Sequence, residues 1–226
     1  MLKMPSRLVA LTFDAHDPAY LAGFWAGVLG RMVVDDLGSA LLPGSDTQVG
    51  LRFAPSGAEK VGPNRVHLYL TSTSPAGQQA TVAAALELGA DHLDVGQPPE
   101  EGHAVLADPE GNEFCVIKPG SSFLVGCGFL GELACDRTRK VGLFWAEALG
   151  WPLVWDEDQE TAVQSPHAGL TSVKASPPAD APGGVGGSRT GPARLTCRRA
   201  SHWCRSAGSG WPAGTGGGQA CDADAW

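Results

Sequence analysis

The sequence predicts an α+β fold built from a repeated strand–helix–three-strand (βαβββ) module, and three observations carry that prediction. Three helix-like segments recur, each closing on Leu-Gly: Leu29-Gly30, Leu88-Gly89 and Leu149-Gly150. A strand-like stretch stands before each helix, and short alternating stretches follow. The third helix also repeats the first at an offset of 120 residues, with Phe24-Trp25-Ala26 matching Phe144-Trp145-Ala146.

Residues 8–13 alternate as a half-buried strand does, with Val9, Leu11 and Phe13 on one face and Leu8, Ala10 and Thr12 on the other. Asp17-Pro18 opens the first helix, with aspartate as N-cap and proline at the first helical position. Leu21, Phe24, Trp25, Val28 and Leu29 then fall at i, i+3, i+4, i+7 and i+8, one apolar stripe. Gly30 occupies the position where a helix end turns left-handed. Residues 32–36, 40–42 and 49–53 read as short strands separated by Gly and Pro turns.

The second round gives a strand at 65–71, a helix from Ser74-Pro75 to Leu88-Gly89, and strands at 92–95, 104–107 and 113–117. Asp108-Pro109-Glu110-Gly111 has proline at i+1 and glycine at i+3, the chemistry of a type I turn, and joins the last two strands as a hairpin. The third round offers a strand, a helix carrying Val141, Phe144, Trp145, Ala148 and Leu149, and a strand pair at 153–156 and 161–164. Trp25 and Trp145 lie on helical stripes and are expected in the core.

Composition changes after that point. Residues 175–226 include 11 Gly and 5 Pro, and only Val185 and Leu195 represent Ile, Leu, Val, Met or Phe. Such a segment buries too little apolar surface to offset the entropy of ordering its backbone, so it is expected to be disordered. It also carries five arginines against three aspartates, a net +2, whereas residues 1–174 carry −10. Its mixture of Gly, Arg, Pro, Ala, Ser, Cys and Trp is what GC-rich coding DNA yields out of frame, so a frameshift is one reading. If the tail is evolved, the sheet edge left by an incomplete repeat needs a cover, and a homodimer would supply it.

The whole chain has 226 residues and a formal charge of −8. That acidic balance provides no electrostatic footprint for nucleic acid. No apolar run approaches the roughly 18 residues of a membrane span, and residues 1–7 lack the apolar region of a signal peptide. The expected location is the cytoplasm, with the six cysteines as thiols. Cys197, His202, Cys204 and Cys221 match no short zinc-knuckle spacing.

The paired modules, Phe24-Trp25 with Leu29-Gly30, and the run Val105-Leu106-Ala107-Asp108-Pro109-Glu110-Gly111-Asn112-Glu113-Phe114 together resemble the vicinal oxygen chelate superfamily. This is the group of glyoxalase, bleomycin resistance proteins and extradiol dioxygenases, and the glyoxalase-like branch is the nearest match. The resemblance covers residues 8–118 and resumes over 126–166 as the opening of a second copy. It implies a complete two-module domain at 1–120, a partial second domain at 126–174 and a tail at 175–226. It also implies paired modules whose curled mixed sheet surrounds a pocket, with helices outside.

Enzymatic members of that superfamily hold a divalent metal from the first strands of both modules and the last strand of the second. Carried over, these positions are Ala10, which has no donor atom, His67, and Cys115, where metal-binding members usually carry Glu. A Lewis-acid metal takes about three protein ligands and an open position. His67 and Cys115 fall short unless Glu113, two residues from Cys115 on the same strand face, joins them; the thiolate would then select zinc. The expectation is therefore a small-molecule ligand bound without metal or other cofactor, in the style of the bleomycin resistance proteins. The alternative is a metal-dependent lyase, isomerase or dioxygenase with one zinc ion on His67, Glu113 and Cys115.

Alternation assigns the pocket. Val66, Leu68 and Leu70 pack under the helices, leaving Arg65, His67, Tyr69 and Thr71 toward the pocket. Phe114 and Val116 enter the core, while Glu113 and Cys115 face inward beside His67, and Ala10 and Thr12 complete the floor. Thr12, Arg65, His67, Tyr69, Glu113 and Cys115 are the candidate ligand-binding residues. His67 is the candidate catalytic residue, a general base or hydrogen-bond donor partnered by Tyr69 or Glu113. The competing reading makes His67 a hydrogen-bonded interior histidine.

Overall fold

Pro18 and Gly30 bracket the first helix as their backbone chemistry requires. In the computed structural model, which describes residues 5–95, 102–136, 138–166, 172–176 and 193–198, helix α1 spans Pro18–Leu29. The Asp17 carboxylate accepts from the Tyr20 N–H at 3.0 Å, and Gly30 ends the helix at φ +62°. The first module is β1 (Arg7–Ala15), α1, β2 (Val34–Asp36), β3 (Ser39–Leu42) and β4 (Gly50–Pro55). The second is β5 (Val66–Leu70), α2 (Pro75–Glu87), β6 (Asp91–His92), β7 (Ala104–Ala107) and β8 (Glu113–Val116). The third is β9 (Leu130–Asp136), α3 (Arg139–Leu149), β10 (Leu153–Glu157), β11 (Glu160–Val163) and β12 (Ser172–Ser176), after which comes β13 (Ala193–Arg198). In every module the last strand returns parallel to the first, a geometry that needs the long helical crossover between them.

Among the described residues the strands form two mixed sheets, ordered β13-β1-β4-β3-β2 and β10-β11-β12-β9-β5-β8-β7-β6. The α+β class and the paired modules are as expected. The pair that shares a sheet is the second with the third, joined where β5 runs antiparallel to β9. The first module instead takes β13 as its antiparallel neighbour.

Two strands exceed what composition foretold. β12 supplies the third module with its closing strand, and β13 lies inside the segment 175–226 expected to be disordered. β13 pairs with β1 from Arg7 opposite Arg198 to Phe13 opposite Ala193, so the β1 edge is covered from within the chain. The expectation of disorder rested on apolar burial, whereas a strand at a sheet edge is held by main-chain hydrogen bonds that need no apolar side chain. The rest of that segment, including Val185, His202, Cys204 and Cys221, lies outside the described residues, as does His167.

One apolar cluster runs through all three modules, with Phe13 and Phe53 from the first, Leu68 and Phe114 from the second, and Leu133 and Trp145 from the third. Phe24 and Trp25 of α1 meet Phe114 edge-on, with ring centroids 6.1 and 5.0 Å apart. Each such ring contributes on the order of 2–3 kcal/mol through burial. Because Phe114 faces this cluster, α1 lies on the opposite side of the sheet from His67. No helix among the described residues is long and apolar enough to cross a membrane.

Candidate functional site

Alternation along β5 decides what its far face can hold. Val66, Leu68 and Leu70 are buried against the helices, and His67 and Tyr69 are half-buried on the other side. Registered partners in neighbouring strands share a face. Tyr69 stands opposite Cys115 of β8 and opposite Glu132 of β9, and His67 stands opposite Ala134. The site face therefore gathers His67, Tyr69, Cys115 and Glu132.

Glu132 is 2% exposed and Cys115 is 8% exposed. Burial pushes the Cys115 thiol up to about 12; the negative charge of Glu132 adds to the rise, and a hydrogen bond with Tyr69 partly opposes it. At neutral pH this sulfur keeps its proton, which removes it as a nucleophile. Glu132 was absent from the sequence-based candidates. The signal that could have found it is a lone charge inside the apolar run Leu130-Gly131-Glu132-Leu133-Ala134-Cys135.

Glu113 lies on β8 next to this face, but its carboxylate is engaged elsewhere. Lys60 Nζ donates to Oε1 at 2.7 Å, and the Asn64 N–H donates to Oε2 at 3.0 Å. These bonds tie the 60–64 segment to β8. Arg65 immediately precedes β5, in phase with His67. Thr12 and Ala10, expected in the floor beside His67, lie on β1 in the other sheet, where Thr12 stands opposite Arg52 and Arg194. The cause is the sheet partnership: β5 takes β9 as its neighbour.

The turn before β8 holds that strand in register. Asp108 Oδ1 accepts from the Glu110 and Asn112 N–H groups at 3.0 and 2.9 Å. Its Oδ2 accepts from the Asn112 amide at 2.9 Å and from Trp25 Nε1 at 3.0 Å. Asn112 Oδ1 in turn accepts from the Asn64 amide at 2.9 Å. Burial raises the Asp108 carboxyl above its ordinary value, with these hydrogen bonds opposing the shift. A second carboxylate of the turn, Glu110, accepts from the His16 and Asp17 N–H groups at 2.9 and 2.8 Å.

A divalent metal is implied by the enzymes this fold resembles, and the donor set decides whether one fits. Among the described residues no three His, Cys, Asp or Glu side chains converge closely enough to hold an ion. Glu113 is bonded to Lys60 and Asn64, and the Cys115 thiol would have to surrender a strongly held proton. The His67, Glu113 and Cys115 set does not fit a three-ligand site. What the face does offer is an imidazole, a phenol, a protonated thiol and a buried carboxylate, groups that donate and accept hydrogen bonds.

Residues 10–117 match the family model of the glyoxalase-like domain. Glyoxalase I from Zea mays is 16% identical with a TM-score of 0.56, the match covering 75% of this chain and 66% of that one. A dioxygenase candidate from Bacillus subtilis is 16% identical with a TM-score of 0.50, covering 77% of this chain and 64% of the other. The chain thus spans slightly less than two thirds of the length of each. No curated protein matches it in sequence.

Proposed function

Residues 10–117 belong to the glyoxalase-like domain family, within the vicinal oxygen chelate superfamily, and from that premise we propose that the protein binds a small molecule on its His67–Tyr69 face without a metal ion. The observation that carries this reading is the position of Tyr69, between Cys115 and Glu132 with His67 in phase on the same strand. A sheet face that carries four polar groups suits recognition by hydrogen bonds, and it resembles the metal-free, bleomycin-resistance style of superfamily member. His67 serves there as general base or hydrogen-bond donor to the ligand. Arg65 adds a cation at the margin. Glu132 is the buried acceptor that orients the ligand.

A thermal-shift screen across small metabolites, thiol conjugates and aromatic drugs tests this. A ligand at a hundred times its Kd adds about 2.7 kcal/mol of apparent stability. The expected result is a ligand whose shift is lost in His67→Ala and in Glu132→Gln. A ligand that shifts both variants as much as the parent protein would place binding elsewhere. The competing reading is a metal-dependent lyase, isomerase or dioxygenase, although His67, Cys115 and Glu132 share a face without converging on one ion position. Stoichiometric zinc in the purified protein, lost in His67→Ala, would establish it in place of metal-free binding.

A further inference from the structure

Regular alternation along β9 would put Leu130 on the same face as Glu132 and Ala134. Leu130 is instead fully buried in the core with Leu133 and Cys135. The reason is a bulge: pairing steps from Tyr69 opposite Glu132 directly to Leu70 opposite Leu130, leaving Gly131 as the extra residue. The bulge lets one short strand send Leu130 into the core and Glu132 to the site.

Groups from outside β9 hold this bulge on two sides. Gln48, in the turn before β4, accepts from the Leu130 N–H through Oε1 at 3.0 Å and donates from Nε2 to the Leu130 carbonyl at 3.3 Å. A side-chain amide here makes the pair of bonds that a neighbouring strand would make. Arg31, one residue past Gly30, donates to the same Oε1 at 3.1 Å and to the Val49 carbonyl at 2.7 Å. Arg31 therefore decides which way the Gln48 amide is turned, because only the oxygen can accept from it. On the other side the Thr71 N–H donates to the Phe129 carbonyl at 2.9 Å and the Thr71 hydroxyl to the Gly128 carbonyl at 3.1 Å. A Cβ at position 131 would collide with the Thr71 γ-methyl, so a larger residue at the bulge requires the Thr71 side chain to move.

We propose that Gln48 is a positioning residue for the site: by clamping Leu130 it fixes the Gly131 bulge at the end of the regular β5–β9 pairing and so holds that pairing, with Glu132 opposite Tyr69, in place. The first module thereby shapes a face to whose sheet it contributes no strand among the described residues. The importance of this device rests on the binding reading given above, but its geometry can be tested without any ligand. A failed ligand screen and a failed clamp are thus separate results.

Cys115 reports on Glu132, since the carboxylate's charge suppresses thiolate formation. The experiment is site-resolved alkylation of Cys115 by iodoacetamide, followed by mass spectrometry of the full-length protein at mildly alkaline pH. It compares the parent, Glu132→Gln, Gln48→Met and the double variant. Glu132→Gln should speed alkylation severalfold, since each unit of lowered thiol pKa gives about tenfold more thiolate. Gln48→Met should speed it in the parent and add nothing in the Glu132→Gln background, the signature of two residues acting through one path. An equal acceleration by Gln48→Met in both backgrounds would mean general loosening and overturn the proposal. So would a Gln48→Met protein that reacts like the parent. Should Gln48→Met fail to fold, Gln48→Glu keeps the acceptor for Leu130 and Arg31, loses only the donor, and should give a smaller acceleration of the same kind; no acceleration would again overturn it.

Discussion

Trp25 and Asp108 are joined by a hydrogen bond of 3.0 Å across 83 residues of sequence. The indole packs edge-on against Phe114 while its N–H reaches the carboxylate at the head of β8. The hairpin turn is therefore also the socket for the first helix, and a core aromatic reaches a buried acid through its polar edge.

Removing that acid should be costly. Asp108→Ala leaves the Trp25 N–H, the Asn112 amide and two main-chain N–H groups without their acceptor. Loss of about 3 kcal/mol or more in urea unfolding is expected, since each buried donor left unpaired costs roughly 1–3 kcal/mol. Trp25→Phe keeps the ring and deletes one donor, so its loss should be smaller, about 1–2 kcal/mol. A Trp25→Phe protein less stable than Asp108→Ala would show that ring packing outweighs the polar socket.

The same carboxyl shapes the acid limb of stability. Burial raises its pKa in the folded protein above the ordinary 3.8, so the folded state holds that proton more tightly than the unfolded chain. Its contribution to stability is greatest below 3.8 and declines as pH rises through the folded value. The stability of the parent relative to Asp108→Asn should accordingly be highest at the acidic end and fall across that window. Urea unfolding at a series of pH values measures it, and a difference that grows with pH contradicts the assigned direction.

Glu113 is expected to matter for the fold and not for ligand. Its oxygens are taken by Lys60 and Asn64, so Glu113→Gln should cost about 0.5–2 kcal/mol by weakening a partly buried ion pair. Thermal shifts produced by a His67-dependent ligand should be unchanged. Loss of those shifts in Glu113→Gln would return the carboxylate to the binding face.

Two helical glycines should respond in opposite ways to alanine. Gly23 of α1 is exposed, with open space where an alanine methyl would project, so Gly23→Ala should stabilise by about 0.5–1 kcal/mol through helix propensity. A methyl on Gly142 of α3 would run into Thr161 of β11. Overpacking of that kind costs about 1–3 kcal/mol and should reverse the sign. Calorimetric Tm values for the two variants, one up and one down, would bear this out; a stabilised Gly142→Ala would show that α3 can move off the sheet.

Much of the site was legible one residue at a time. Alternation alone places His67 and Tyr69 opposite the core-facing Leu68, and puts Cys115 on their side of the sheet. The Asp17-Pro18 and Leu29-Gly30 signals bound α1 within a residue. Glu132 was harder to find, because the bulge at Gly131 puts Leu130 in the core and so masks the period-two pattern of residues 132–135. The engagement of Glu113 with Lys60 was hidden for a related reason: 53 residues separate the partners, and no local pattern brings them together.

By itself, the sequence determined the first two modules and the opening of the third, the caps of α1 and α2, and which side of β5 and β8 faces away from the helices. Each of these depends on neighbours a few residues apart. The tertiary structure alone decided that β5 lies beside β9 and β1 beside β13. First strands all present similar rows of main-chain donors and acceptors, so local pattern cannot choose among partners. Packing of the shared core makes that choice, and with it Glu132 came to stand opposite Tyr69 while Thr12 went to the other sheet.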